Sequence, residues 1–109
     1  MKDIISLFKL LAEPNRLAIF TMLMEDEYCV CDIERFLQLK QANVSKHLMA
    51  FRKHGLIEGR RDTQWIHYRL SPKLIDAFPL IYPLIQNTAF YKATQEKLMN
   101  FEKNTCKLD

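Results

Sequence analysis

The chain has 109 residues, of which 49% are hydrophobic and 27% charged, and it carries a formal net charge of +3. That length holds one domain with a modest core, and the composition excludes a disordered chain. The sequence pI of about 8.8 permits nucleic-acid binding without demanding it. With only two glycines, Gly55 and Gly59, Gly-rich phosphate loops are excluded.

The first residues, Met1-Lys2-Asp3-Ile4, enter an amphipathic pattern directly, with no signal-peptide core and no small-residue cleavage site. The most apolar run, Leu74 to Ile85, is broken by Asp76, Pro79 and Pro83 and is too short to span a membrane. A cytoplasmic location without membrane contact is expected. Cys29, Cys31 and Cys106 are then reduced thiols, unless oxidation is itself the signal.

In chain order, residues 3–11 predict a first helix. Ile4, Leu7, Phe8 and Leu11 share a stripe, and Ile5 and Leu10 add a second apolar side. Such a helix needs more than one neighbour to cover it, and a second subunit is a natural source. A second helix starts at Glu13-Pro14, with Pro14 at its first position. Leu17, Phe20, Leu23 and Met24 form its apolar face. The acidic run Glu25-Asp26-Glu27 reads as a solvated end.

The stretch Tyr28 to Leu37 reads as a short helix that organises the chain. Val30, Ile33 and Leu37 recur at helical spacing and face a core. Cys29 and Cys31 stand at its start, with Asp32 where a capping box places its acid. Cys29 thus occupies the place of a capping Ser or Thr. A weak hydrogen-bonding group in place of a good one suggests a task for the sulfur other than capping.

A turn at Gln38 to Gln41 leads to a helix from about Ala42 to His54, closed by Gly55 as its C-cap glycine. Val44, Leu48 and Phe51 point inward; Asn43, Lys46, His47, Ala50 and His54 share the other face. That polar, partly cationic face suits base edges and phosphates. Two helices joined by a tight turn make a helix-turn-helix over 29–54. Gln41, Asn43, Ser45 and His47 are the candidates for base contacts, and Lys46, Arg60 and Arg61 for phosphates.

Residues 56–70 predict a β-hairpin. Ile66, Tyr68 and Leu70 alternate with Trp65, His67 and Arg69, which places His67 on the surface. A basic hairpin after a helix-turn-helix is a wing, placed to follow the duplex backbone. Ser71-Pro72 starts a helix to Ala77. After Pro79 and Pro83, one long helix is expected to about Lys103, with Leu84, Ile85, Thr88, Tyr91, Leu98 and Phe101 as its stripe. Met22, Met24, Met49 and Met99 read as core or interface filler.

The expected architecture is therefore mainly α with one β-hairpin: a single winged helix-turn-helix domain over 1–109. Residues 1–12 and 72–103 build a homodimer, and a loose tail over 104–109 carries Cys106.

The segments Leu11-Ala12-Glu13-Pro14-Asn15-Arg16-Leu17, Cys29-Val30-Cys31-Asp32, Val44-Ser45-Lys46-His47-Leu48 and Trp65-Ile66-His67-Tyr68-Arg69-Leu70-Ser71-Pro72 resemble the ArsR/SmtB family of winged-helix repressors, across roughly residues 4–72. The thiol box and the last segment resemble its arsenical-resistance branch most. The resemblance implies a homodimer that represses a detoxification operon and leaves DNA when an inducer ion binds. Three departures stand out. Glu34 occupies the place where arsenic-responsive relatives often carry a third cysteine. No histidine follows His67, so the zinc site of the C-terminal helices is absent. No cysteine precedes Cys29, unlike in the cadmium and lead sensors.

Thiolates suit soft ions, and a helix start favours the thiolate form. Residues i and i+2 of a helix point to opposite sides, so an ion shared by Cys29 and Cys31 must distort the first turn. Cys106 is the candidate third thiolate. The expected function is repression at an inverted-repeat operator in double-stranded DNA, needing no cofactor to bind DNA, with release by trivalent arsenic or antimony. Alternatives are a sensor of cadmium, lead, copper or thiol oxidation, a winged helix that binds no DNA, and a thiol oxidoreductase. The last is disfavoured by the Cys-x-Cys spacing and the lack of a βαβ pattern.

Overall fold

Local capping chemistry sets several of the helix starts. The computed structural model describes residues 3–102, so Cys106 and the expected tail lie outside the described residues. Helix α1 (Ile4–Leu11) is capped by Asp3, whose carboxylate accepts from the Ile5 N–H. Helix α2 (Pro14–Glu25) has Pro14 in its first turn, and the Glu13 carboxylate accepts from the Arg16 N–H at 3.0 Å. The expected one-sided face of α2 is too modest. Every residue from Ala18 to Met24 is buried, because α1, α3, α7 and the sheet pack around it.

The stretch expected to be all helix begins as a strand. Tyr28–Cys29 form β1, and helix α3 runs Val30–Leu37 with Cys29 as its N-cap residue. Two residues are too few for strand periodicity to show; pairing with a distant strand makes them one. Gln38 ends α3 in the left-handed region at φ 55°, and α4 follows over Gln41–Lys53. The α4 C-terminus closes as expected on Gly55, at φ 72°. The Gly55 N–H donates to the Arg52 carbonyl and the Leu56 N–H to the Phe51 carbonyl, both at 3.0 Å. This paired closure satisfies two helix-end carbonyls and buries Leu56 beside Phe51.

Strands β2 (Ile57–Asp62) and β3 (Trp65–Leu70) form the expected hairpin. The sheet order is β1-β3-β2, all antiparallel. Strand β3 is therefore central, and this buries His67 to 3% exposure, against the expected surface position. Gly59 lies opposite Tyr68. A Cβ there would stand 3.0 Å from Ile66 Cγ2 and 3.2 Å from Tyr68 Cε1.

Ser71 caps α5 (Pro72–Ala77), its hydroxyl accepting from the Lys73 N–H. The expected long helix is two helices, α6 (Ile81–Gln86) and α7 (Ala89–Met99). The break comes from Thr88, whose hydroxyl caps α7 through the Tyr91 N–H, and from Asn87, whose amide donates to the Pro83 carbonyl. Helix α7 turns back onto α2, and the Tyr91 hydroxyl donates to Glu25 at 2.5 Å. The acidic run is thus not merely solvated. Glu27 also pairs with Arg60, 2.7 Å from its Nη2.

The core joins Leu7, Phe20, Ile33, Val44, Leu48, Phe51 and Leu74 into one cluster. Met22 and Met24 belong to it, whereas Met49 and Met99 are 69% and 83% exposed. Exposed Ile4 and Phe8 of α1 meet Leu80 and Leu84 around an open apolar groove.

Candidate nucleic-acid interface and thiol site

Val44, Leu48 and Phe51 anchor α4 in the core as their spacing predicts. At about 100° per residue, the opposite side of α4 carries Ala42, Lys46, Met49 and Lys53, all exposed. Of the residues expected to contact DNA, Gln41, Asn43 and Lys46 are exposed and Ser45 is half-buried. His47 points elsewhere. Its side chain is 15% exposed, with Nε2 3.6 Å from Glu13 Oε2 at the start of α2. Burial lowers the pKa of the imidazole, against the opposing pull of Glu13. At neutral pH it is therefore a neutral group packed between two helices. The start of α2 turned it aside, and no helical-wheel reading of α4 alone could show that.

On the wing, Arg61 is exposed, while Arg60 is held by Glu27. The Arg60 Nε and Nη2 both donate to Glu27 Oε1, at 3.2 and 2.7 Å. That hydrogen bond lowers the pKa of the Glu27 carboxyl. Both groups are largely solvated, so the pair contributes little stability. Its effect is positional: it fastens β2 of the wing to the loop that leads into the thiols.

Cys29 is 2% exposed and Cys31 is half-buried. Cys29 sits outside the regular helix, in extended conformation at φ −85° and ψ 166°. The two sulfurs are therefore not fixed on opposite helix sides, as the spacing alone suggests. The Cys29 thiol donates to Asp32 Oδ2 at 3.3 Å, and Asp32 is fully buried. Arg35 Nη2 lies 3.4 Å from the other carboxylate oxygen. Cys29 is also the direct cross-strand partner of His67.

Both cysteines line one cavity of about 230 Å³. Its other walls are Val30, Gln41, the first residue of α4, and Gln64, Trp65, Ile66 and Tyr68 of the wing. The cavity thus lies where the thiol turn, the second helix of the helix-turn-helix and the wing meet. Among the described residues, no group of three or more His, Cys, Asp or Glu side chains is arranged to hold a metal ion.

At the far end of α3, Phe101 packs edge-on to Phe36, with ring centroids 5.1 Å apart. The Arg35 guanidinium lies 4.2 Å from the Phe101 ring centroid and donates to the Glu102 carbonyl. Phe101 and Glu102, the last described residues, therefore return to the thiol-bearing helix. The apolar stripe expected for a long helix contained Phe101, but not this return. It depends on the break at Thr88.

Residues 13–58 match the family described as bacterial regulatory protein, arsR family. The chain is 45% identical over 71 residues to the arsenical resistance operon repressor of Escherichia coli, covering 64% of this chain and 61% of that protein. The match thus spans about three fifths of that relative's length. The fold is similar to reduced HlyU from Vibrio cholerae, with TM-score 0.63 and 32% identity, covering 73% of this chain and 85% of that one. It is also similar to the homodimeric winged helix-turn-helix DNA-binding domain of a possible ArsR-family regulator from Mycobacterium bovis. There the TM-score is 0.65 and the identity 25%, covering 79% of this chain and 81% of that one. These relatives are transcriptional regulators, not enzymes, and no helix among the described residues is long and apolar enough to cross a membrane. Sequence match, element order and wing agree: the chain belongs to the ArsR family of bacterial regulatory proteins.

Proposed function

We propose that the chain is a homodimeric repressor of a metalloid-resistance operon. It binds an inverted-repeat operator and leaves it when trivalent arsenic or antimony is captured by Cys29 and Cys31. The observation that carries this reading is the shared cavity. A ligand on those sulfurs would share a cavity with Gln41 of α4 and Trp65 of the wing. Ligation also removes the thiol proton that Cys29 donates to Asp32. A thiolate then faces a buried carboxylate, and the first turn of α3 must rearrange. Because α3 packs against α4, that movement reaches the DNA-contacting surface. Coupling of about 1–3 kcal/mol changes operator affinity by roughly five- to a hundredfold.

Gln41, Asn43 and Ser45 supply base contacts in this reading, and Lys46 and Arg61 supply phosphate contacts. Arg60 reaches phosphate only by exchanging Glu27 for DNA. His47 supports α4 from behind. The apolar groove of Ile4, Phe8, Leu80 and Leu84 receives the second subunit, so the terminal helices build the dimer.

Cys106 completes a three-sulfur site. What supports this is that Cys106 is the one further cysteine in the sequence. The third thiolate comes from the same subunit or from its partner.

The test is a labelled operator complex titrated with arsenite, cadmium and zinc under reducing conditions. Release by arsenite at concentrations where zinc has no effect supports the reading. Release by cadmium alone would make the chain a sensor of that ion instead.

A further inference from the structure

Met49 is 69% exposed on α4, and its surroundings differ from those of the exposed apolar side chains Ile4, Phe8, Leu80 and Leu84. Ile4, Phe8, Leu80 and Leu84 gather at one apolar groove, as an interface between copies requires. Met49 instead stands among cations. On the outward stripe of α4 it lies between Lys46 and Lys53. It also borders an open groove of about 470 Å³ whose floor is apolar, Val30, Leu48 and Tyr68, and whose other lining residues are Ser45, Arg52 and Lys53. A flexible thioether flanked along its helix by Lys46, Arg52 and Lys53 complements a surface that is polyanionic at its edges and carries an apolar spot between them.

The major groove of DNA offers one apolar group, the C5-methyl of thymine. We infer that Met49 is a specificity-determining residue of the DNA-binding surface, packing its side chain on a thymine methyl in each half-site while Lys46 and Lys53 hold the flanking phosphates. This rests on the DNA-binding reading above and adds to it an apolar contact to the polar donors of α4. A charged or short polar residue at position 49 would make no use of that methyl. A single thymine would then be exchangeable for another pyrimidine at that point of the site.

The experiment begins with duplexes that the wild-type protein selects from a random-sequence library. In a selected duplex, each thymine is replaced in turn by deoxyuridine, which removes the methyl and leaves the base pair intact. Binding is followed by fluorescence anisotropy for the wild type, Met49→Ala and Met49→Leu.

The inference expects one thymine per half-site at which uracil weakens wild-type binding about fourfold, the cost of one buried methyl-sized group. Met49→Ala should bind thymine and uracil duplexes alike at that position, and Met49→Leu should recover the preference. Thermal unfolding of Met49→Ala should match wild type, since the side chain is exposed. A flat uracil scan in the wild type, or a thymine preference that survives in Met49→Ala, overturns the inference and leaves DNA binding standing. Failure of the wild type to enrich any sequence overturns the DNA-binding reading and this inference together.

Discussion

Cys29 lies directly opposite His67 across the β1–β3 ladder, so the thiol box is hydrogen-bonded into the base of the wing. The N-cap residue of α3 is thereby also a sheet residue. Cys29 cannot move without disturbing the strand that carries Trp65 toward the cavity.

One consequence separates folding from sensing. In Cys29→Ser the hydroxyl can replace the thiol as donor to Asp32, and serine is the better N-cap. Its thermal midpoint should equal or exceed that of the wild type. Cys29→Ala removes the donor and should cost about 1–2 kcal/mol. Thermal denaturation of the three proteins checks this, and a Cys29→Ala midpoint equal to wild type would show that the thiol–Asp32 bond carries no stability.

Gly59 is the second position with a definite expectation. An added methyl would sit 3.0 Å from Ile66 Cγ2 and 3.2 Å from the ring of buried Tyr68. Gly59→Ala should therefore lose about 1–3 kcal/mol. The same denaturation assay reads this out, and an unchanged midpoint would mean that the hairpin absorbs the methyl by shifting.

His47 gives a pH dependence. Burial holds its folded pKa below the ordinary histidine value. The unfolded chain therefore binds more protons as pH falls below about 6.5. The contribution of His47 to stability is full above that pH and is lost as pH falls from there through the folded pKa. His47→Gln should show a shallower loss of stability between about pH 7 and pH 5. Equal slopes in urea denaturation across that range would contradict the assigned burial.

Trp65 is the only tryptophan in the chain and lines the thiol cavity. Arsenite should change its emission in the wild type and leave it unchanged in Cys31→Ser. An identical fluorescence response in both proteins would place the ligand elsewhere.

The parts of this fold legible in the sequence are those governed by neighbours in the chain. Pro14 and Ser71-Pro72 mark helix starts, Gly55 closes α4, and the spacing of Val44, Leu48 and Phe51 marks its buried face. The features that were not legible depend on distant partners. Tyr28-Cys29 is a strand because Tyr68 and His67 lie opposite. His67 is buried because β1 covers its strand on the other side from β2. His47 faces Glu13 because of how α2 meets α4. The split at Thr88 is an exception. Its capping signal is local, and the apolar stripe running across it masked it. At the site, the spacing of Cys29 and Cys31 marked the thiols, while the cavity that joins them to Gln41 and Trp65 needed the tertiary fold. Met49 was hidden because a methionine at helical spacing reads as core until its direction is known.

In the proposed function, Cys29 and Cys31 sense the inducer and are not needed to bind DNA. This reading is tested most directly by titrating arsenite into operator complexes of the wild type, Cys29→Ser and Cys31→Ser, followed by anisotropy. Operator affinities are expected within about threefold of one another, below the roughly fivefold floor of a working coupling, with release by arsenite in the wild type alone. Release of both serine variants at the wild-type arsenite concentration would contradict it.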